Sequence, residues 1–266
     1  MTIRFVDAHC HLDHLAEAHP HRIGWLRDEG AAVVSWSFAH RVDSVADLTA
    51  YWEAQVAAVE RAAQGGLPCA LLVGVHPRNI PDDLAPERLA DLLVPLLDHP
   101  LCRGIGEIGL ETGSAREREV FEAQLALAPE LEARDQVFGV HTPRNDKERV
   151  TREILAVLRA HPAAARRALV DHTTPVTAPW ALDEGYRVGM SLSPVKSSAD
   201  DLRRLLRDRP EAAGRLCCNT DSGTRFFDDL WRLARDPGPP AEAADRVLRA
   251  NALSWFRPVA QVPAPA

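Results

Sequence analysis

Eight short apolar runs recur along this chain, separated by longer amphipathic stretches, and this alternation constrains the fold more than any other feature. The runs cover residues 4–9, 31–37, 69–76, 101–107, 136–141, 168–172, 187–193 and 215–221. They are rich in Val, Ile, Leu and Cys and lack strict polar alternation. A strand with one wet face alternates, whereas a parallel strand covered on both faces reads as a nearly continuous apolar run. Repeated βα units therefore predict a parallel sheet. Eight such units in 266 residues suit a (β/α)8 TIM barrel, which typically takes about 250 residues. The rival is an open doubly wound sheet. The strand count and the placement of the polar residues favour the barrel.

Helical spacing appears at 44–64, 86–97, 116–134, 146–160, 199–209, 225–234 and 241–253. Asp43 is the expected N-cap of the first. Pro86 suits a first helical turn, and Pro129 should break the 116–134 stretch. No composition shift marks a boundary. Residues 1–258 are expected to form a single barrel domain, and 259–266 a disordered tail.

The five cysteines, Cys10, Cys69, Cys102, Cys217 and Cys218, are odd in number and contain no C-x-x-C pair. A reducing, cytoplasmic setting is the expectation. No stretch approaches the roughly 20 apolar residues of a membrane span. The net charge of −7 gives no bulk attraction to nucleic acid.

Six of the eight runs end in a side chain able to bind a metal. These are His9, with His11 two residues on, then His76, Glu107, His141, His172 and Asp221. The C-terminal strand ends of a barrel converge on one mouth, where active sites sit. A single strand-end histidine is ordinarily a core or loop residue. Six unrelated strand ends sharing one chemistry form a set. Imidazole and carboxylate are ligands for zinc and similar ions, and residues i and i+2 of an extended segment face the same side. Four histidines with a Glu and an Asp are too many for one tetrahedral site. They suit two ions sharing a carboxylate, for which Glu107 is placed. His19, His21, His99 and His161 sit beside prolines and read as surface residues. His14 is expected on the loop after the first strand, and His40 stays open. Gly104-x-Gly106-x-x-Gly109 matches a dinucleotide-loop pattern, but a strand runs through it to Glu107. Its glycines are read as close packing.

DAHCHLD, GVHP, GEIGLE, GVHTPR, DHTT and NTDSG, in this order and spacing, resemble the TatD family of metal-dependent hydrolases, within the amidohydrolase superfamily. The resemblance spans about 7–223 and implies the barrel and a divalent metal site. It assigns one ion to His9, His11, Glu107 and Asp221, and a second to Glu107, His141 and His172. Zinc ranks ahead of manganese or magnesium. Family members include DNases acting on phosphodiester ends. The chain departs from the family pattern around the ligands, with Arg78-Asn79 after the His-Pro motif, Pro143 shifting an arginine to Arg144, and Thr173-Thr174-Pro175 after His172.

The expected activity is hydrolysis of a phosphodiester or ester-like bond by a metal-activated water, with deoxyribonuclease action as one branch. Asp221 and Glu107 are the expected catalytic carboxylates. His76, Arg78 and Arg144 are the expected substrate contacts, and Asp7 and Asp13 the partners that fix histidine tautomers. The substrate is expected to be an anion or small molecule, nucleic-acid ends included. The alternatives are a small-molecule esterase, lactonase, amidase or phosphoesterase, and a non-catalytic metal-binding protein.

Overall fold

A computed structural model of the chain describes residues 2–38, 42–238 and 241–260. Eight strands form one parallel sheet in sequence order: β1 (Phe5–Cys10), β2 (Ala31–Trp36), β3 (Cys69–Val73), β4 (Cys102–Gly109), β5 (Val137–His141), β6 (Ala168–Val170), β7 (Arg187–Ser191) and β8 (Leu216–Asn219). The sheet closes just past β8. Cys10 bridges Ser222, the Asp221 N–H donates to the His9 carbonyl at 3.0 Å, and the His11 N–H donates to the Ser222 carbonyl at 2.7 Å. The result is a (β/α)8 barrel.

Alternate residues of each strand serve two apolar layers. Val6, Ala8, Val34, Trp36, Leu72 and Leu169 fill the barrel interior, joined by Ala252 and Phe256 from the C-terminal helix. Phe5, Val33, Leu71, Ile105, Phe138 and Val188 face the surrounding helices. Both faces are dry, which is why the sequence runs lack polar alternation. All five cysteines are buried and free. No helix among the described residues is long and apolar enough to cross a membrane.

Several helix expectations change in detail. The first long helix is Val45–Gln64, and its cap is Ser44, whose hydroxyl accepts from the Asp47 N–H, rather than Asp43. Pro129 does divide the 116–134 stretch, into Ala115–Leu125 and Ala128–Ala133. The helix expected from 225 begins at Asp229. Four α-helices went unread, Leu12–Ala18, Pro20–Asp28, Pro162–Ala165 and Ala178–Asp183. His14 therefore lies on a helix and not on a loop. Pro20–Asp28 buries only Leu26, so it carries no apolar stripe to read. The last helical stretch, Ala241–Phe256, contains a π turn at Arg246–Ala250. At the expected tail, Val259 pairs with Cys69 as an antiparallel bridge, and 261–266 lie outside the described residues, as does His40.

Gly139 on β5 makes room for the Trp36 indole. A Cβ there would lie 2.3 Å from the ring. That indole stacks on His9 at 4.1 Å between ring centroids and donates from Nε1 to the Ala8 carbonyl at 2.9 Å. Gly139→Ala is expected to cost about 1–3 kcal/mol of stability, the range for overpacking a tight core. Denaturant unfolding of the two proteins measures it, and an unchanged midpoint would refute this packing account.

Candidate metal centre

The closed barrel brings the strand ends together. Glu107 lies in β4, His9 in β1 and His141 at the end of β5. His172 and Asp221 fall two residues past β6 and β8. Both take left-handed backbone conformations, with φ of 55° and 56°, uncommon for non-glycine residues and frequent at functional turns. Gly104 lets β4 approach β5: its φ is +149°, and a Cβ would fall 1.8 Å from the Val137 carbonyl oxygen. The glycines are therefore packing devices, as the sequence suggested.

Glu107 is the hub and is only 1% exposed. His141 Nδ1 lies on Glu107 Oε1, and His172 Nε2 is 2.9 Å from the same oxygen. His9 Nε2 and His76 Nε2 stand 3.5 and 3.6 Å from Oε2. His11 Nε2 lies 2.9 Å from Asp221 Oδ1. Burial pushes the Glu107 carboxyl up, but His141, His76 and His9 outweigh it and hold it well below its ordinary range. Asp221 is likewise held well below its ordinary range against burial, chiefly by Lys196 and His172.

Proximity alone gathers three groups of ligand-capable atoms, each within 4.8 Å: His9–Asp171–His172, His9–His11–Asp221 and His76–Glu107–His141. Hydrogen bonds to the outer ring nitrogens sort them. A carbonyl only accepts, so His11 Nδ1 donates to the Trp36 carbonyl at 3.1 Å, and Nε2, on Asp221 Oδ1, is the nitrogen an ion would take in place of that hydrogen bond. His9 Nδ1 faces Asp171 Oδ2 at 2.5 Å. Burial opposes ionisation of Asp171, but His172 and His9 keep it charged, so it too accepts. His9 Nε2 then presents a lone pair, is buried, and has no hydrogen-bond partner. His141 Nε2 is held at 2.9 Å by Glu111 Oε2, leaving Nδ1 for Glu107.

His76 is reversed. The Arg78 N–H donates to its Nδ1 at 3.1 Å, so the ring proton is on Nε2, aimed towards Glu107. At 3.6 Å from Glu107 Oε2 this nitrogen is too far for a hydrogen bond, and it is buried without a hydrogen-bond partner. His76 is 1% exposed and does not line the cavity, so it is not placed as the direct substrate contact the sequence suggested. The donor set fits divalent ions: convergent imidazoles, two ionised carboxylates and two orphaned imidazole nitrogens, on His9 and His76.

Above this floor lies a cavity of about 640 Å³. Arg78, Arg144 and Arg225 line it with Lys147 and Lys196, and Phe38, Val195 and Phe227 add apolar surface. Arg78 is half exposed and 3.7 Å from Glu111.

The match to known proteins follows this geometry. A model described as TatD related DNase matches residues 6–223. The chain belongs to that family. Among solved structures, a TatD-like protein from Archaeoglobus fulgidus is 25% identical with a TM-score of 0.76, over 95% of this chain and 100% of that one. A β-aspartyl dipeptidase from Fervidobacterium islandicum (13% identity, TM-score 0.65, 96% of this chain and 73% of that one) shares the fold. So does a manganese-bound dihydroxybenzoic acid decarboxylase from Polaromonas sp. JS666 (12%, TM-score 0.56, 97% of each chain). No curated protein sequence matches.

Four residues of this TatD-family site escaped the sequence reading. Asp171 orients His9, in place of Asp7 and Asp13. Asp7 instead accepts from the Thr220 N–H and hydroxyl at 2.9 and 2.5 Å, bracing the turn to Asp221, and burial pushes its pKa up to about 6. Asp13 lies 3.7 Å from His14. Glu111 orients His141. Lys196 bonds Asp221. Lys147 donates to the Thr142 and His172 carbonyls, at 3.2 and 2.7 Å, and to the Thr142 hydroxyl at 2.8 Å; burial and Lys196 lower it to about 7. One signal was present: Lys147 and Lys196 are the only lysines among 31 basic residues, and both line the cavity.

Asp171→Asn should lower metal affinity by about 10–100-fold, the usual effect of removing a partner that orients a ligating histidine. Titration against a fluorescent chelator measures this, and unaltered affinity would contradict the role. A pH dependence follows from His76. Burial lowers it from 6.5 to about 4 in the fold, so the unfolded chain binds the proton more readily. The stability it contributes is complete above about pH 6.5 and is lost as pH falls towards 4. In metal-free protein, His76→Asn should flatten the fall in denaturation midpoint across that window. An identical slope would refute the burial effect.

Proposed function

We propose that this chain is a metal-dependent hydrolase that cleaves an ester bond of an anionic substrate, with a phosphodiester as the first choice. One observation carries the reading. Imidazoles whose outer nitrogens are anchored converge on Glu107 and Asp221 beneath a cavity rimmed by cations. The residues suit two divalent ions, zinc ahead of manganese or magnesium, with Glu107 as the shared carboxylate. His9, His11 and Asp221 would serve one ion, and His141 and His172 the other. Ions held there would supply activation of a water and polarisation of the scissile group.

The chain's own residues supply the rest. Asp221 orients the attacking water, accepts its proton and returns it to the leaving oxygen. Glu107 stays charged beside its imidazole neighbours His141, His76 and His9. Arg78 and Arg144 at the mouth receive the substrate anion, for which a guanidinium offers two parallel donors. Deoxyribonuclease action on strand ends is one branch of this chemistry. A small phosphodiester is the second reading, favoured by the 640 Å³ cavity and by Val195, a lining valine that is 47% exposed.

His9→Ala combined with His11→Ala should lower the bound metal seen by elemental analysis and take turnover below detection. Full metal-independent activity in that double variant would overturn the mechanism. Arg78→Ala with Arg144→Ala should raise KM more than it lowers kcat. On a panel of bis-aryl phosphodiester, phosphomonoester, carboxyl ester, lactone and DNA ends, phosphodiester turnover is expected. Turnover of the small diester without DNA degradation selects the second reading. Bound metal with no turnover on any member would make the chain a metal-binding protein.

A further inference from the structure

One contact in the cavity runs against the pattern of the others. Lys196, in the loop after β7, has a largely buried side chain whose Nζ bonds Asp221 Oδ2 and lies 2.9 Å from His172 Nδ1. An ammonium has three donors and no lone pair. At His172 it can only donate, so Nδ1 is an acceptor there. The proton of the neutral ring is then on Nε2, directed at Glu107 Oε1, 2.9 Å away. His9 and His11 carry theirs on the opposite, outer nitrogen. Ser191 Oγ also touches His172 Nδ1, at 2.7 Å, and a hydroxyl can either donate or accept. His172 therefore has two tautomers that its neighbours can satisfy. Lys196 selects one, and Ser191 without Lys196 supports the other.

We propose that Lys196 is an internal cation that holds the Asp221–His172 side of the centre in the metal-free protein. It keeps His172 in a tautomer that cannot bind an ion through Nε2, and it must swing off both residues before a divalent ion is held there. Only the position of the ammonium changes, and the His172 proton passes from Nε2 to Nδ1, which donates a hydrogen bond to the Ser191 hydroxyl oxygen. Lys196 is thus a positioning residue that competes with the ion for Asp221 and sets the readiness of His172.

This rests on reading the site as a metal centre, but the ring-proton position is read without metal. Nitrogen-15 spectra of histidine-labelled, metal-free protein should show His172 as Nε2–H in the wild type and as Nδ1–H in Lys196→Met, which keeps the chain length and removes the charge. Chelator competition with Zn²⁺ or Mn²⁺ should show Lys196→Met binding at least tenfold more tightly than wild type. Ser191→Ala should move the other way and bind more weakly, because the ligating tautomer loses its acceptor. Wild-type His172 protonated on Nδ1, or equal or weaker binding by Lys196→Met, overturns the proposal. Binding by neither protein overturns the metal reading as well. If Lys196→Met does not fold, the wild-type tautomer and the sign of the Ser191→Ala effect still decide.

Discussion

The buried charge of Glu107 is the constraint on which the rest of the structure depends. A carboxylate withdrawn from water costs several kcal/mol unless it is surrounded by groups that compensate it. Here the compensation comes from His9, His76, His141 and His172, delivered by β1, the loop after β3, β5 and the turn after β6. Each imidazole in turn needs an anchor on its far nitrogen. Asp171 from the β6 side anchors His9 of β1 across the barrel, and the Arg78 N–H anchors His76. Asn219 of β8 then steadies Asp171 at 2.8 Å. The chain of dependence runs from one carboxylate through most of the strands. The close fit shows at Gly189, where a Cβ would lie 2.1 Å from Asp171 Oδ1. A barrel whose strands were shifted by one residue would invert every side chain and leave the charge unpaired.

The centre also balances charge by layers. Carboxylates and imidazoles make the floor, and arginines and lysines surround the opening. In a chain of net charge −7, this places positive potential where an anionic ester would enter. Family membership and this arrangement bear on the chemistry together, while the Thr173-Thr174-Pro175 turn and the exposed Val195 give this chain a mouth of its own. The structural relatives below 25% identity share the barrel, and a barrel alone does not specify a substrate.

Much of this was legible in the sequence. Strand runs carry a two-sided apolar signature, so all eight were found, and Glu107, His141 and the His9/His11 pair stood at or beside their ends. Pro129 broke its helix as its missing N–H requires. What escaped was whatever depends on contacts across the barrel. Asp171 looked like one more residue of an apolar run, because no local pattern says that it faces His9, 162 positions away. His76 looked like a substrate contact because residue type does not reveal that the side chain is buried away from the cavity. Asp43 and Ser44 are both good caps, and the geometry of the turn chose the serine. Pro20–Asp28 has no clear apolar face and gave no helical signal.

The most direct test of the account is the metal content of purified Glu107→Gln beside the wild type, with each protein's fold checked by circular dichroism. Glutamine keeps the shape of the side chain and removes the charge that gathers the imidazoles and that the proposed ions would share. The account predicts a folded variant that has lost metal from both halves of the site, against two ions for each wild-type chain. A folded Glu107→Gln that keeps the full wild-type complement would contradict it.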